Sequence, residues 1–315
     1  MSSRYLVGRL GQALLVLWAA FTASFVLLQL LPGDAILIKF EGGDLGLSPQ
    51  QIAEIRLAYG ADEPVLLQYV HTLAGFLQGH FGYSIQRGVP VTEAILANLP
   101  ATAWLTALGF AVATLLAGTI AVVSSLTGLR WLRSLLRGLP PLFVSVPVFW
   151  LGIVLIQIFS FRLKLIPVIG AGEWEGLVLP VLTLAVPISA PLAQVLIRAI
   201  DEVRTQPFVT VARAKGASSR WVLFRHVLRN ALGPTLTLAG VLFGELLAGA
   251  VVTETVFGLN GIGRMTEQAV NNQDAAVLQA VVVISAAGFV LINLAVDLLY
   301  PLIDPRLRKT VGATT

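Results

Sequence analysis

Few residues in this sequence could do chemistry, and their spacing argues against hydrolysis. A phosphate-binding loop requires Gly-x-x-x-x-Gly-Lys-Ser/Thr, because backbone amides must cradle the phosphates while the lysine reaches them. Lys39, Lys164, Lys215 and Lys309 all lack the glycine immediately before them. No Ser, His and carboxylate grouping points to a nucleophile, and the absence of cysteine removes thiolate catalysis and thiolate metal sites. The chain is therefore expected to hold no catalytic residues. One ionisable group stands out by its place. Glu245 lies inside an apolar stretch, and an intramembrane carboxylate is by default a functional candidate. His71, His80 and His226 all fall outside the apolar stretches, which argues against a metal-lined path.

The elements that must position these residues follow from composition. Of 315 residues, 56% are hydrophobic and only 12% charged, too little polar surface for a soluble domain of this length. About 20 residues without a charge suffice to span a bilayer, since an ion at its centre costs about 2.5–3.5 kcal/mol. Six such places predict six transmembrane helices: Leu10 to Leu31, about Leu99 to Leu126, the Arg137 to Arg162 interval, Glu175 to Arg198 with Pro180, Pro187 and Pro191, Pro234 to Val256, and Ala275 to about Tyr300. The first is too long for the core of a signal peptide and is expected to be retained. Lys and Arg stay on the cytoplasmic side. With the N-terminus inside, the inner segments hold fifteen of the 21 basic residues, among them Arg130, Arg133 and Arg137, and seven between 198 and 229. Both termini are then cytoplasmic. The charge is split among four short segments, so nucleic acid is not an expected partner.

Two segments outside the spans carry signals of their own. In the outer segment, 32–97, Ser48-Pro49-Gln50-Gln51 is a capping box that predicts a helix to about Tyr59. A second helix is expected from near Pro64, with Leu66, Tyr69, Val70, Leu73, Phe76 and Leu77 on one face. This segment either caps the spans or docks a soluble partner. The inner loop, 200–233, reads as two short helices broken at Gly216. The first starts at Pro207; the second starts at Ser218 and has Trp221, Phe224, Val227 and Leu228 opposite Arg220, Arg225 and Arg229. Composition alone would also allow a basic helix lying on anionic lipid.

The run Ala212-Arg213-Ala214-Lys215-Gly216-Ala217, followed by Arg225-His226-Val227-Leu228-Arg229-Asn230-Ala231-Leu232, resembles the cytoplasmic loop of permeases of the dipeptide, oligopeptide and nickel family of ABC importers. Further matches occur in order: Leu31-Pro32-Gly33-Asp34, Phe81-Gly82-Tyr83-Ser84 with Pro90-Val91, Glu254-Thr255-Val256-Phe257 with Gly261-Ile262-Gly263, and Asp304-Pro305-Arg306. Departures are Thr210-Val211-Ala212 for the general Glu-Ala-Ala, Arg229 and Asn260 for prolines, and Ala35 for a proline after Gly33-Asp34.

The resemblance implies an all-α type I importer permease of six transmembrane helices in a bacterial or archaeal cytoplasmic membrane. Its parts would be helix one within 1–31, the external helical segment 32–97, the core 98–300 with coupling loop 200–233, and the cytoplasmic tail 301–315. Implied partners are a homologous second permease, two ATP-binding subunits that use ATP and Mg, and an extracytoplasmic substrate-binding protein that delivers a peptide. The chain itself would carry no cofactor. Phe208, Ala212, Arg213, Ala214, Lys215, Gly216 and Ala217 would form the ATPase-coupling loop, and Glu245, Glu254 and Phe257 the outer gate or path. Nickel or another small solute is an alternative cargo. A proton-coupled transporter is an alternative class, for which Glu245 and Asp297 offer no convincing repeat-related pair.

Overall fold

A computed structural model describes residues 3–30, 50, 63–168, 170, 172 and 174–303, with side chains within 8–296. The helix expected at Pro49 to Tyr59, the Leu31 to Asp34 match and the tail from Asp304 lie outside the described residues. In chain order the elements are α1 (Ser3–Leu30), α2 (Val65–Leu77), a small hairpin of β1 (Tyr83–Ser84) and β2 (Val89–Pro90), α3 (Val91–Leu126), α4 (Arg130–Ser145) and α5 (Val148–Leu155), which ends in a π-helical stretch, Ile156–Arg162. Then come α6 (Glu175–Arg204), α7 (Pro207–Ala214), α8 (Ser219–Val222), a second π-helical stretch (Leu223–Val227), α9 (Leu228–Phe257), α10 (Ile262–Asn271) and α11 (Ala275–Ile303).

Among the described residues, five stretches are long and apolar enough to cross a membrane: Gly8–Leu30, Val91–Leu126, Glu175–Arg204, Ser219–Phe257 and Ala275–Val296. The sixth, expected over the Arg137 to Arg162 interval, is not one straight helix. It is the pair α4 and α5, bent by 106°. The break has a local cause. Proline at 147 bars its predecessor from helical angles, so Val146 is extended with ψ 117° and the helix restarts at Val148. Elsewhere prolines are absorbed: Pro180, Pro187 and Pro191 lie inside an unbroken α6, and Pro234 inside α9. The fifth span also starts earlier than expected, since α8, the π stretch and α9 run on from Ser219.

The chain divides into two compact units. One comprises 1–9, 103–258 and 289–315. Its centre is α6, which packs against α4, α5 and α9. Leu184 of α6, fully buried, acts as a knob between two glycines. A Cβ on Gly109 of α3 would stand 3.0 Å from one of its methyls, and a Cβ on Gly249 of α9 2.9 Å from the other. Hydrocarbon supplies little drive for helices to associate, so such close approach at small residues is what holds spans together.

The other unit comprises 10–102 and 259–288. Its core is built from Val91, Ala94 and Ile95 of α3, Ile262, Met265 and Ala269 of α10, and Val277, Ala280 and Val281 of α11. The second half of the outer segment belongs to it. Tyr69 and Phe76 of α2 meet Phe21 edge-on at centroid distances of 5.6 and 5.1 Å, and the Tyr69 hydroxyl lies 2.9 Å from that of Thr22. From the face expected for this helix, Leu66, Val70 and Leu77 are instead exposed. The helix is apolar on both sides, so periodicity alone could not choose the inner one. Below it, Ser84 donates to the buried Asp274 at 2.5 Å, and Arg87 donates to Gln268 at 2.8 Å. These bonds pin the hairpin to α10 and to the turn before α11.

Candidate functional site

The inner loop is a capped helix-turn-helix. Pro207 opens α7, where a missing amide costs nothing because the first N–H groups of a helix have no intrahelical partner. Val209, fully buried, anchors the helix. At its end Gly216 is left-handed, φ +85°. The Gly216 amide donates to the Arg213 carbonyl at 2.9 Å and the Ala217 amide to the Ala212 carbonyl at 3.2 Å, the paired bonds of a Schellman stop. Two residues on, Ser218 is the N-cap of the next helix, its Oγ accepting from the Trp221 amide at 3.3 Å. One helix is closed and the next opened within four residues, so the angle between them is set by backbone bonds.

This corner frames an open depression of about 730 Å³ lined by Phe208, Val211, Ala212, Lys215, Gly216, Ala217, Ser218, Trp221 and His226. His226 stands between the two walls, its ring 4.8 Å from that of Trp221 and 6.3 Å from that of Phe208. A shallower hollow continues along Arg220, Trp221, Phe224 and Arg225. The result is an apolar floor with a cationic rim, shaped to receive a protruding element with acidic flanks. Of the seven loop residues expected from sequence, Phe208, Ala212, Lys215, Gly216 and Ala217 line the depression, and Arg213 and Ala214 do not. Val211, Ser218, Trp221 and His226 complete it. The helix start at Ser218 was legible in the sequence; the inward ring of His226 had no signal there.

The second helix of the loop turns inward a face that shares Val227, but not Trp221 or Phe224, with the one expected. Val222, Leu223 and Val227 are buried, while Trp221 and Phe224 are exposed. Residues 221 to 224 are all apolar, so the sequence offers two candidate faces. The side toward the helical core takes Val222 and Leu223, which leaves the larger rings at the depression.

The three residues expected at an outer gate do not come together. Glu245 is exposed on α9, whereas Glu254 is fully buried. Nine residues of α-helix place them on opposite faces, about 13 Å apart along the axis. Phe257 lies over α5, where a Cβ on Gly152 would be 3.2 Å from its ring. Among the described residues no group of three His, Asp or Glu converges to hold a metal ion.

Residues 115–309 match the family model of the binding-protein-dependent transport system inner membrane component, and residues 2–106 match the model of its N-terminal part. The chain belongs to this family: it is an inner-membrane permease subunit of an ABC importer. It is 37% identical over 305 residues to the glutathione transport system permease protein GsiC of Salmonella typhimurium, covering 96% of this chain and 98% of that one. It is 34% identical over the same length to GsiC of Escherichia coli K12. Among solved structures, the inward-facing MetNI methionine ABC transporter matches with a TM-score of 0.56 at 20% identity, over 67% of this chain and 96% of that one. An amino acid ABC transporter with histidines matches with a TM-score of 0.53 at 17% identity, over 66% and 93%. The fold is that of type I importer permeases. Subunits of this class work with a partner permease, separate ATPase subunits and a substrate-binding protein.

Proposed function

We propose that this permease forms half of a path by which short peptides, glutathione among them, cross the inner membrane under ATP-driven import. Similarity to the GsiC permeases along 96% of the chain carries this reading. Glutathione is itself a tripeptide, so it falls within the expected peptide class and narrows it. The other half of the path belongs to the partner permease, and ATP and Mg are used by the ATPase subunits. These dock into the depression between α7 and α8, where an apolar floor and Lys215, Arg220 and Arg225 suit an element with acidic flanks. The loop and both termini face the cytoplasm, as fifteen of the 21 basic residues favour. Glu245 lines the path, because an exposed carboxylate within a span is costly against hydrocarbon. Glu254 and Phe257 act by packing at the outer end of α9.

Uptake by vesicles holding the complete importer tests the proposal. ATP inside should drive accumulation of labelled glutathione or a dipeptide, and nickel ions should neither accumulate nor compete. Accumulation of nickel in preference to any peptide, or uptake driven by a proton gradient without the ATPase subunits, would overturn it.

A further inference from the structure

The carboxyl end of α3 is capped by side chains borrowed from two other helices. A helix closes with unpaired carbonyls and a partial negative charge, which a nearby cation relieves. The last turn of α3 holds no basic residue of its own. Arg204, the last residue of α6, donates to the Ser125 carbonyl at 2.8 Å, and Arg133 of α4 donates to the Thr127 carbonyl, just past the end of α3, at 2.7 Å. The two lending helices are also joined to each other. Asp201 lies three residues before Arg204, and Arg137 four after Arg133, spacings that keep each pair on one helix face. Both terminal nitrogens of Arg137 reach Asp201, at 2.9 and 3.0 Å. Arg133, Arg137, Asp201 and Arg204 thus form a clasp where α3 and α6 end and α4 begins.

Stability alone does not account for this arrangement. The Arg137 and Asp201 side chains are 36% and 44% exposed, and an ion pair so open to water is weak. Among the described residues, Nε of Arg137 and the Ser125 hydroxyl are buried without a hydrogen-bond partner, which costs stability. What the clasp does is fix geometry at the root of the loop that frames the depression. The Thr205 and Gln206 amides donate to the Glu202 and Val203 carbonyls, both at 3.1 Å, the Thr205 hydroxyl donates to the Glu202 carbonyl at 2.7 Å, and α7 opens at Pro207. The link from α6 to α7 therefore has no slack, and a swing of α7 displaces Asp201 and Arg204.

We propose that Asp201 and Arg204 are positioning residues for transport, which hand movement of α7 to the adjoining ends of α3 and α4. The inference rests on the reading that the ATPase subunits dock between α7 and α8. It does not depend on which solute is carried.

Vesicles holding the complete importer, with ATP hydrolysis and uptake of labelled glutathione or a dipeptide measured together, test the clasp. R204Q removes the cation and should leave ATPase binding and hydrolysis near the wild-type values, while uptake per ATP falls about tenfold, the factor that a hydrogen bond from a charged donor is worth. R204K should recover most of the uptake, since one bond to a carbonyl needs only one cationic donor. D201R should be uncoupled in the same way, and R137D combined with D201R, which restores the ion pair in reverse, should recover. Wild-type uptake per ATP in both R204Q and D201R would overturn the proposal. So would membrane level, hydrolysis and uptake falling together at an unchanged ratio, which is what a merely structural role produces, and so would a lowered ratio that neither R204K nor the reversed pair improves. Loss of ATPase binding in R204Q would overturn it too, by assigning the cluster to the docking surface. Gly216→Val separates the two readings: if it loses uptake while R204Q is normal, the docking loop stands and the clasp fails, and if it behaves as the wild type, the docking reading fails and the clasp with it.

Discussion

Glu245 sits midway along an apolar helix with its side chain exposed, and no hydrocarbon neighbour can solvate it. If it meets the ammonium group of a peptide in transit, replacement by glutamine removes a charge-assisted hydrogen bond of about 1.5–3 kcal/mol. Uptake of peptides with a free amino terminus by Glu245→Gln should then show a KM raised about tenfold or more, with N-acetylated peptides little affected. Equal effects on both would place Glu245 at a subunit contact. Glu254 calls for a different expectation. It is fully buried, so Glu254→Gln, nearly isosteric, should assemble normally and lose part of its transport, whereas Glu254→Leu should lower the amount of protein in the membrane. The sequence marked Glu245 by its place in an apolar run and Glu254 through the family resemblance. It could not tell which face each occupied, because α9 is apolar nearly all round.

At the scale of elements, close packing at glycine gives a test independent of transport. Gly109→Val would drive branched carbons toward the buried Leu184 and should destabilise the chain by about 1–3 kcal/mol, the usual cost of overpacking. Thermal melting in detergent reads this, and a melt equal to the wild type would mean that α3 and α6 are further apart than described. The element boundaries show where sequence was a good guide. Pro207, suited to a first turn, and Ser218 marked the two helix starts in the loop, and α7 and α8 begin there. Uncharged length announced six spans, and five of them are single helical stretches. The bend at Val146-Pro147 was missed, although the proline was visible. Pro187 and Pro191 have the same residue type inside an unbroken helix. Whether a proline breaks a helix or is carried by it depends on packing along its neighbours, which one strand of sequence does not contain.

For the whole molecule, the bend between α4 and α5 makes topology an experimental question of parity. If the pair crosses once, reporter fusions at Gly128, Gly216 and Thr315 should score as cytoplasmic and those at Gly43, Gly172 and Asn272 as external. Matching scores at Gly128 and Gly172 would show that the pair enters and leaves by one side. The class of the molecule was legible because composition, span count and the motif around Gly216 point the same way. Its cargo was not, since a permease subunit shares the choice of solute with its partner permease and binding protein.

In the proposed function the corner at Gly216, by holding α7 and α8 at a fixed angle, would carry movement of a docked ATPase to the spans. Gly216 has φ +85°, which a β-branched residue adopts only at a cost of about 1–3 kcal/mol. No atom lies within 4 Å of where its Cβ would stand, so Gly216→Val perturbs the angle without a clash. The direct measurement compares this variant with the wild type in the complete importer, following membrane level, ATPase co-purification, ATP hydrolysis and peptide uptake together. A coupling role for the loop predicts a near-normal level in the membrane with ATP-dependent uptake lost, either because the ATPase no longer binds or because it hydrolyses ATP without transport. Wild-type binding, hydrolysis and uptake in Gly216→Val would contradict it and reduce the loop to a helix pair on the membrane surface.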